Sequence, residues 1–309
     1  MKRIVIIGGG FAGSLAARKL EKKFDVTLID TKDYFEFTPG VLKTLINPDH
    51  SKNIQVLHND YLKHATIIIG EVSYSNDKYV LVEDTKIEFD YLIICSGSSY
   101  NSPFKEENIV IASRSEHLIK YHEDLIKSNK ILIIGGGLVG VELAAEISTN
   151  FKDKDITLIH SKSKLIDRNP DRAIEYAHNF LINKGVKINY NQRMLIKRGD
   201  YYISDNKDAF YADIAFLCTG ITPNFEFMKK EFKEFLDNKN NIIVNDYLQV
   251  SKYKNIFAAG DITSINEEKT AQNAKRQVSI IIKNIISIEK NKPFKKYISK
   301  PSPLVISLG

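Results

Sequence analysis

The sequence predicts an α/β protein built from two Rossmann-like dinucleotide-binding domains, the second inserted into a discontinuous first, and three observations predict it. Lys2–Asp30 reads as strand, glycine turn, helix, strand and acid. The same order returns from Lys130, with Gly135 standing where Gly8 stood. Two apolar runs close on small-residue turns, one at Cys95-Ser96-Gly97 and its echo at Cys218-Thr219-Gly220. A repeat this long is two copies of one nucleotide-binding unit, since solenoid repeats are several-fold shorter.

Arg3–Ile7 carries Ile4, Val5, Ile6 and Ile7, a continuous apolar run of the kind buried on both faces of a parallel sheet. It meets Gly8-Gly9-Gly10-Phe11-Ala12-Gly13, a G-x-G-x-x-G. Gly8 permits the sharp turn, Gly10 lets a pyrophosphate approach the backbone without meeting a Cβ, and Gly13 lets helix and strand pack closely. The helix that follows, with Ala12, Leu15, Ala16 and Leu20 on one face, offers free N-terminal N–H groups to an anion. Val26–Ile29 is the second strand and ends on Asp30, where a carboxylate can accept from both hydroxyls of an adenosine ribose. The bland alternative is a glycine turn kept only for packing.

Thr31–His50 reads as a loop-like passage with Tyr34, Phe35, Phe37 and Pro39 ahead of an apolar stretch at Val41–Ile46. Ile54–Val56, Ala65–Val72 and Tyr79–Val82 read as strands, Leu92–Ile94 as a buried strand and Ser115–Ser128 as helical. The second copy predicts strand Ile131–Ile134, the turn Gly135-Gly136-Gly137-Leu138-Val139-Gly140, a helix from Val141, and strand Ile156–Ile159. Helix Ala173–Lys184 and strands Val186–Ile188 and Ala212–Phe216 continue it. Strands Ile242–Val244 and Ile256–Ala258 then lead through Ala259-Gly260-Asp261 to a long amphipathic helix, Ala271–Ile286. Lys290, Lys292, Lys295 and Lys296 flank Phe294 and Tyr297 in the last segment, as a solvated tail or a weak contact with an anionic membrane surface.

The 309 residues and 43% apolar content suit two globular domains. No apolar run approaches the roughly 20 residues of a membrane span, and with a strand expected from residue three no signal peptide is expected. The net charge of +6 comes from scattered lysines, and no nucleic-acid motif accompanies it. Two strand-end cysteines make no disulfide framework, which favours a reducing cytosol. The seven histidines stand singly, so no metal site is expected.

Two dinucleotide sites in one chain suggest one resident cofactor and one that comes and goes, with flavin plus nicotinamide as the natural pair. GGGFAG with Asp30, the strand closing on CSG, the mid-chain GGGLVGVE and the late NIFAAGD with Asp261 together resemble the two-dinucleotide-binding-domain flavoproteins. These form the pyridine nucleotide-disulfide oxidoreductase superfamily. Within it, GVELAAEI, TLIHS, FLCTGITPN, VNDYLQV and KTAQNAKRQ most resemble type II NADH dehydrogenases and the apoptosis-inducing-factor-like, ferroptosis-suppressor-type quinone reductases.

The resemblance implies FAD at the first turn, in a domain formed by 1–113 and 241–309, and NADH or NADPH in 114–240. Toward FAD it assigns Gly8, Gly10, Phe11, Ala12, Gly13, Asp30, Lys32, Val72 beside the adenine, Ser96, Gly97, Gly260, Asp261 toward the ribitol or pyrophosphate, and Ala271 and Gln272 at the pyrimidine end of the ring. Toward NAD(P)H it assigns Gly135, Gly137, Leu138, Val139, Gly140, Glu142, His160, Lys162, Thr219 and Gly220. Glu142 and Gln272 are the candidate catalytic residues. Glu142 matches a glutamate near the nicotinamide, or is a first-turn carboxylate on the helix dipole; Asp261 contacts cofactor or is a helix N-cap. His160-Ser161-Lys162 replaces the acid that would repel a 2′-phosphate, so NADPH stands open beside NADH.

Thr31–Ile46, where disulfide reductases carry cysteines, has none. The resemblance therefore implies direct hydride transfer from NAD(P)H to FAD, and electrons passed on to a quinone or other small acceptor near Phe35–Leu42 and Gln272. Relatives continue beyond Gly309 with an acceptor and membrane segment, so that segment is expected to be shortened here, or the acceptor to be soluble. The location expected is cytoplasmic, or peripheral on the inner face of a membrane, with a homodimer open. A sulfide:quinone-type reductase, a soluble-acceptor flavin reductase and a non-catalytic NADH-responsive sensor are the rivals.

Overall fold

The computed structural model describes residues 1–99, 109–111, 114–300 and 305–309. The chain forms two compact units. One comprises Met1–Phe37, Gln55–Ser99 and Thr222–Pro303, the other Thr38–Ile54, Tyr100–Ile221 and Leu304–Gly309.

The first unit is laid on a five-stranded parallel sheet. Strands β1 (Arg3–Ile7), β2 (Asp25–Asp30), β3 (Thr66–Ile69) and β4 (Tyr91–Ile94) belong to it, with β1 followed by helix α1 (Phe11–Leu20). The second unit repeats the plan with β5 (Ile109–Ile111), β6 (Lys130–Ile134), helix α2 (Leu138–Asn150), β7 (Asp155–Ile159), helix α3 (Asp171–Asn183), β8 (Lys187–Asn189) and β9 (Ile214–Leu217). The chain then completes the first sheet with β10 (Ile256–Ala258) and lays helix α4 (Ala271–Glu289) against α1. The orders are β10-β4-β1-β2-β3 and β5-β9-β6-β7-β8, the same pattern twice. Register repeats as well: Ile7 lies opposite Ile29 and Ile94, and Ile134 opposite Ile159 and Leu217.

Burial on both faces explains the continuous apolar runs. Ile4, Ile6 and Leu28 face a cluster with Ala16, Leu20 and Ile281, while Val5, Ile7 and Ile29 face one with Val80, Phe232 and Val250. In the second unit Ile131 and Ile133 pack with Leu143 and Ile147, and Leu132 and Ile134 with Tyr202 and Leu217. Each unit also carries a three-stranded antiparallel sheet, over Val72–Glu88 and Met194–Tyr211.

Four local expectations are corrected. Ala65–Val72 is two strands: Thr66–Ile69 pairs with β2, and Gly70-Glu71 releases Val72–Ser75 into the antiparallel sheet. Ile242–Val244 forms only isolated bridges, because Ile242 and Val244 pair with different segments. Ile54 closes a short helix, Ser51–Ile54, and the strand there is Gln55–Leu57. Within Thr31–His50 lie a strand, Tyr34–Glu36, and a helical turn, Lys43–Ile46. Thr85–Glu88 and the Met194–Tyr211 meander carried too little apolar alternation to be read as strands.

Candidate functional site

At the carboxyl edge of each parallel sheet the first strand runs into its glycine turn, and the two turns share one geometry. Gly8 and Gly135 have φ of +94° and +114°, and a Cβ on either would lie 2.3 or 2.5 Å from the carbonyl oxygen of Cys95 or Cys218. A Cβ on Gly13 or Gly140 would lie 1.8 Å from the carbonyl oxygen of Gly8 or Gly135. These four glycines are demanded by the fold. Gly10 and Gly137 are different: their φ values, −71° and −76°, suit any residue, and a Cβ there would meet nothing within 4 Å. Packing within the chain gives no reason for glycine at those two positions.

Gly10 and Gly137 are also the N-caps of α1 and α2, and neither helix has a side-chain cap or an acid in its first turn. The first helical bonds are Ser14 N–H to Gly10 and Val141 N–H to Gly137, so the amides of Phe11–Gly13 and Leu138–Gly140 face outward without intrahelical partners. Free amides at a helix N-terminus suit an anion.

Asp30 ends β2. Its Oδ2 accepts from Gly9 N–H at 3.0 Å and lies 3.2 Å from His58 Nε2, while Oδ1 accepts from Thr31 N–H. His58 is fully buried, and its Nδ1 lies 2.6 Å from the Tyr61 hydroxyl. Burial and the nearby Asp30 raise the Tyr61 pKa, so Tyr61 keeps its proton and donates to Nδ1, leaving Nε2–H for Asp30. Burial pushes the Asp30 carboxyl up, but the His58 bond, Lys32 and Thr31 N–H together hold it below the ordinary value. Asp30 is thus an oriented, ionised carboxylate with acceptor capacity to spare. Sequence reasoning missed His58 and Tyr61, which lie on a short helix, His58–Tyr61, with no spacing signal to tie them to the turn. Lys32 lies over the Tyr34 ring at 5.3 Å.

His160 takes the same station in the second unit. Gly136 N–H donates to its Nδ1 at 3.1 Å, as Gly9 donates to Asp30. Burial pushes the His160 pKa down, which keeps the ring neutral and Nδ1 an acceptor. Lys162 is paired with Asp167 at 2.5 Å. The sequence reading found no carboxylate here; the structure supplies one from seven residues beyond His160. Glu142 lies on α2, part-buried, with Oε1 accepting from Ser307 N–H at 3.0 Å. Burial, followed by the repulsion of Glu146, outweighs that bond and raises its pKa. Leu138 and Val139 are part-buried, and Thr219 and Gly220 are exposed beyond β9.

The turn after β4 in the first unit is clamped. Ser96 Oγ donates to the Asn224 carbonyl and Asn224 Nδ2 to the Ser96 carbonyl, both at 2.8 Å, while Asn224 N–H donates to Gly97. Ser98 Oγ donates to Asp261 Oδ2 at 2.8 Å. Asp261 caps no helix: α4 begins ten residues later at Ala271, capped by Thr270 Oγ1, so the N-cap alternative is corrected. Gly260 N–H donates to Gln277 Oε1 at 2.6 Å. Gln272 is exposed in the first turn of α4, Ala271 is part-buried, and Val72 is buried in the core. Phe11 meets Phe35 and Phe37 edge-to-face at 5.1 and 5.8 Å.

Residues 2–277 match the family described as pyridine nucleotide-disulphide oxidoreductase. The chain belongs to this family. Apoptosis-inducing factor homolog A of Dictyostelium discoideum is 32% identical over 344 residues, covering all of this chain and 83% of that protein. Among solved structures, NDH2 from Plasmodium falciparum in complex with NADH superposes with a TM-score of 0.89, covering 100% of this chain and 88% of that one at 18% identity. The sulfide:quinone oxidoreductase of Aquifex aeolicus gives 0.83, covering 95% and 78% at 20% identity. These likenesses bear out the expected architecture of two Rossmann-like domains.

As a pyridine nucleotide-disulphide oxidoreductase the chain is an FAD- and nicotinamide-dependent enzyme, and its residues fit both groups. Two open glycine positions, two uncapped helices and one oriented carboxylate are what two pyrophosphates and a ribose require. The family's thiol chemistry finds no support. Cys95 and Cys218 are both buried and unpaired, and burial pushes each thiol up to about 12. At neutral pH neither is a thiolate, and only the thiolate is nucleophilic.

Proposed function

We propose that this chain oxidises NADH and delivers the electrons, through FAD, to a quinone. The observation that carries the reading is the pair Gly10 and Gly137, two glycines the chain does not need and two pyrophosphates do. FAD, when bound, accepts a hydride and releases electrons singly or in pairs. The protein's part is alignment. Backbone N–H groups of α1 and α2 hold the two pyrophosphates, Asp30 accepts from the FAD ribose, and Glu142 stands beside the nicotinamide. Gly260, Asp261 and the first turn of α4, with Gln272, serve the flavin ring. In chain order the cofactor-binding domains proposed are 1–113 with 241–309 for FAD and 114–240 for the nicotinamide, with 38–54 and 305–309 packed in the second compact unit and 222–240 in the first.

NADH is favoured over NADPH because Asp167 neutralises Lys162 and brings a carboxylate to the side of the second ribose turn. The quinone rests on the resemblance to quinone reductases, on the quinone named for the Aquifex protein, and on thiols too buried for sulfur chemistry. Among the described residues no helix is long and apolar enough to cross a membrane. Lys296 is paired with Asp246, Phe294 packs on Tyr247 and the Tyr297 hydroxyl donates to Glu267, so the groups best suited to a lipid contact serve the fold instead.

Anaerobic stopped-flow tests the reading. The purified protein should be yellow, NADH should bleach it faster than NADPH by about tenfold or more, and a short-chain quinone should restore the colour. A bleached flavin that only oxygen or ferricyanide reoxidises removes the quinone. A long-lived charge-transfer band without turnover supports the sensor instead. Asp167→Ala should narrow the discrimination by freeing Lys162, and equal rates with both nicotinamides in the unaltered protein would overturn it.

A further inference from the structure

The segment Val305–Gly309 lies on the second unit, along one face of α2. Glu142, Glu146 and Thr149 stand on successive turns of that helix and receive it in order. Ser307 N–H donates to Glu142 Oε1 at 3.0 Å, and Ser307 Oγ lies 3.4 Å from Glu146 Oε1. Gly309 lies so close to Thr149 that a Cβ would come within 2.4 Å of its Oγ1. Ile306 and Leu308 pack against the core cluster that holds Leu143 and Ile147. The segment is therefore anchored by apolar contacts while its backbone amide is directed at a carboxylate.

We propose that Ser307 is a positioning residue: its backbone N–H fixes the Glu142 carboxyl as an oriented acceptor for the nicotinamide end of the reductant. The proposal rests on the placement of Glu142 beside the nicotinamide given above. Three groups bear on the Glu142 carboxyl. Glu146, one turn along α2 and itself 5% exposed, repels it. Lys43, from the helical turn Lys43–Ile46, lies 3.7 Å from Glu146 and offsets that second charge. The Ser307 amide is the donor that Glu142 itself receives. Burial and Glu146 both favour the protonated acid, and the amide opposes them. Without the amide, Glu142 would hold its proton to higher pH, and a protonated carboxyl presents a donor where the reductant needs an acceptor.

The test is the pH profile of kcat/KM for NADH in the FAD-loaded protein. Ser307→Pro deletes the amide hydrogen, Ser307→Ala keeps it, and a chain lacking 305–309 removes the whole segment. Glu142→Gln removes the titrating group. The flavin spectrum and Tm establish that each variant is folded and loaded. We expect Ser307→Pro to move the acid limb upward by about one pH unit, the worth of one hydrogen bond to a charged acceptor. Ser307→Ala should leave the limb in place. Glu142→Gln should abolish the limb, and adding Ser307→Pro to it should cost nothing more.

The proposal is overturned if Ser307→Pro lowers Tm but leaves the limb unmoved, or if its effect persists in the Glu142→Gln background. A gain in kcat/KM on removing 305–309 also overturns it, since the segment would then be a cover over the site. These failures differ from failure of the function itself, in which the flavin is not taken up or NADH does not bleach it.

Discussion

Asp30 shows how one side chain is made ready by neighbours far off in sequence. A buried carboxylate left alone would hold its proton. The chain Tyr61 to His58 to Asp30 turns that balance, and Lys32 and Thr31 N–H complete it. A carboxyl held below its ordinary value contributes stability above about 3.8 that is lost as pH falls through the lower folded value. His58→Phe removes the foremost contribution that lowers it, while burial remains. We expect this variant to retain FAD about tenfold less tightly and to begin losing it at a higher pH than wild type during acid titration. Flavin fluorescence measures both, and equal release curves would count against the role of His58. Asp30 was legible from its place after the second strand; His58 was not, because its link to the turn is a packing contact.

At the scale of the strand–turn–helix element, the glycines divide into those the backbone and packing demand and those they do not. Gly13→Ala and Gly140→Ala drive a Cβ into a carbonyl oxygen, and each should cost at least about 1–3 kcal/mol, read as a fall in Tm of the cofactor-free protein. Gly10→Ala and Gly137→Ala should leave that Tm within about one degree, since the space is open and the backbone ordinary. The first should lose FAD affinity and the second should raise KM for NADH, each by about tenfold or more. A fall in apo Tm at Gly10 or Gly137 equal to that at Gly13 would return both turns to a packing role. The sequence pattern alone could not separate these glycines, because the motif is written identically for both purposes.

For the whole molecule, the duplication carries the argument about electron flow. The same strand order, register and glycine turn occur in both units, yet the first ends on Asp30 and the second on His160. Cys95 and Cys218 are part of that duplication: each lends its carbonyl oxygen to the tight contact with the first glycine of a turn. Their thiols have no evident redox task. The double variant Cys95→Ala, Cys218→Ala should keep quinone-dependent NADH oxidation within about threefold of wild type, with some loss of Tm from two small cavities. Loss of turnover with the flavin still bound would reinstate thiol chemistry.

Much of this protein follows from the order of its residues. Continuous apolar runs can be satisfied only between two layers, a glycine turn must bend where Gly8 and Gly135 stand, and α1 and α2 must then begin with free amides. Those features are local and repeat, so the fold and both turns could be read directly. The partners of each site residue could not. His58 beneath Asp30, Asp167 on Lys162, Asn224 across Ser96, Ser98 on Asp261 and Ser307 on Glu142 join positions up to 165 apart in sequence. Hydrogen bonds act over about 3 Å and leave no period in a sequence, so tertiary packing alone decides which of these groups meet.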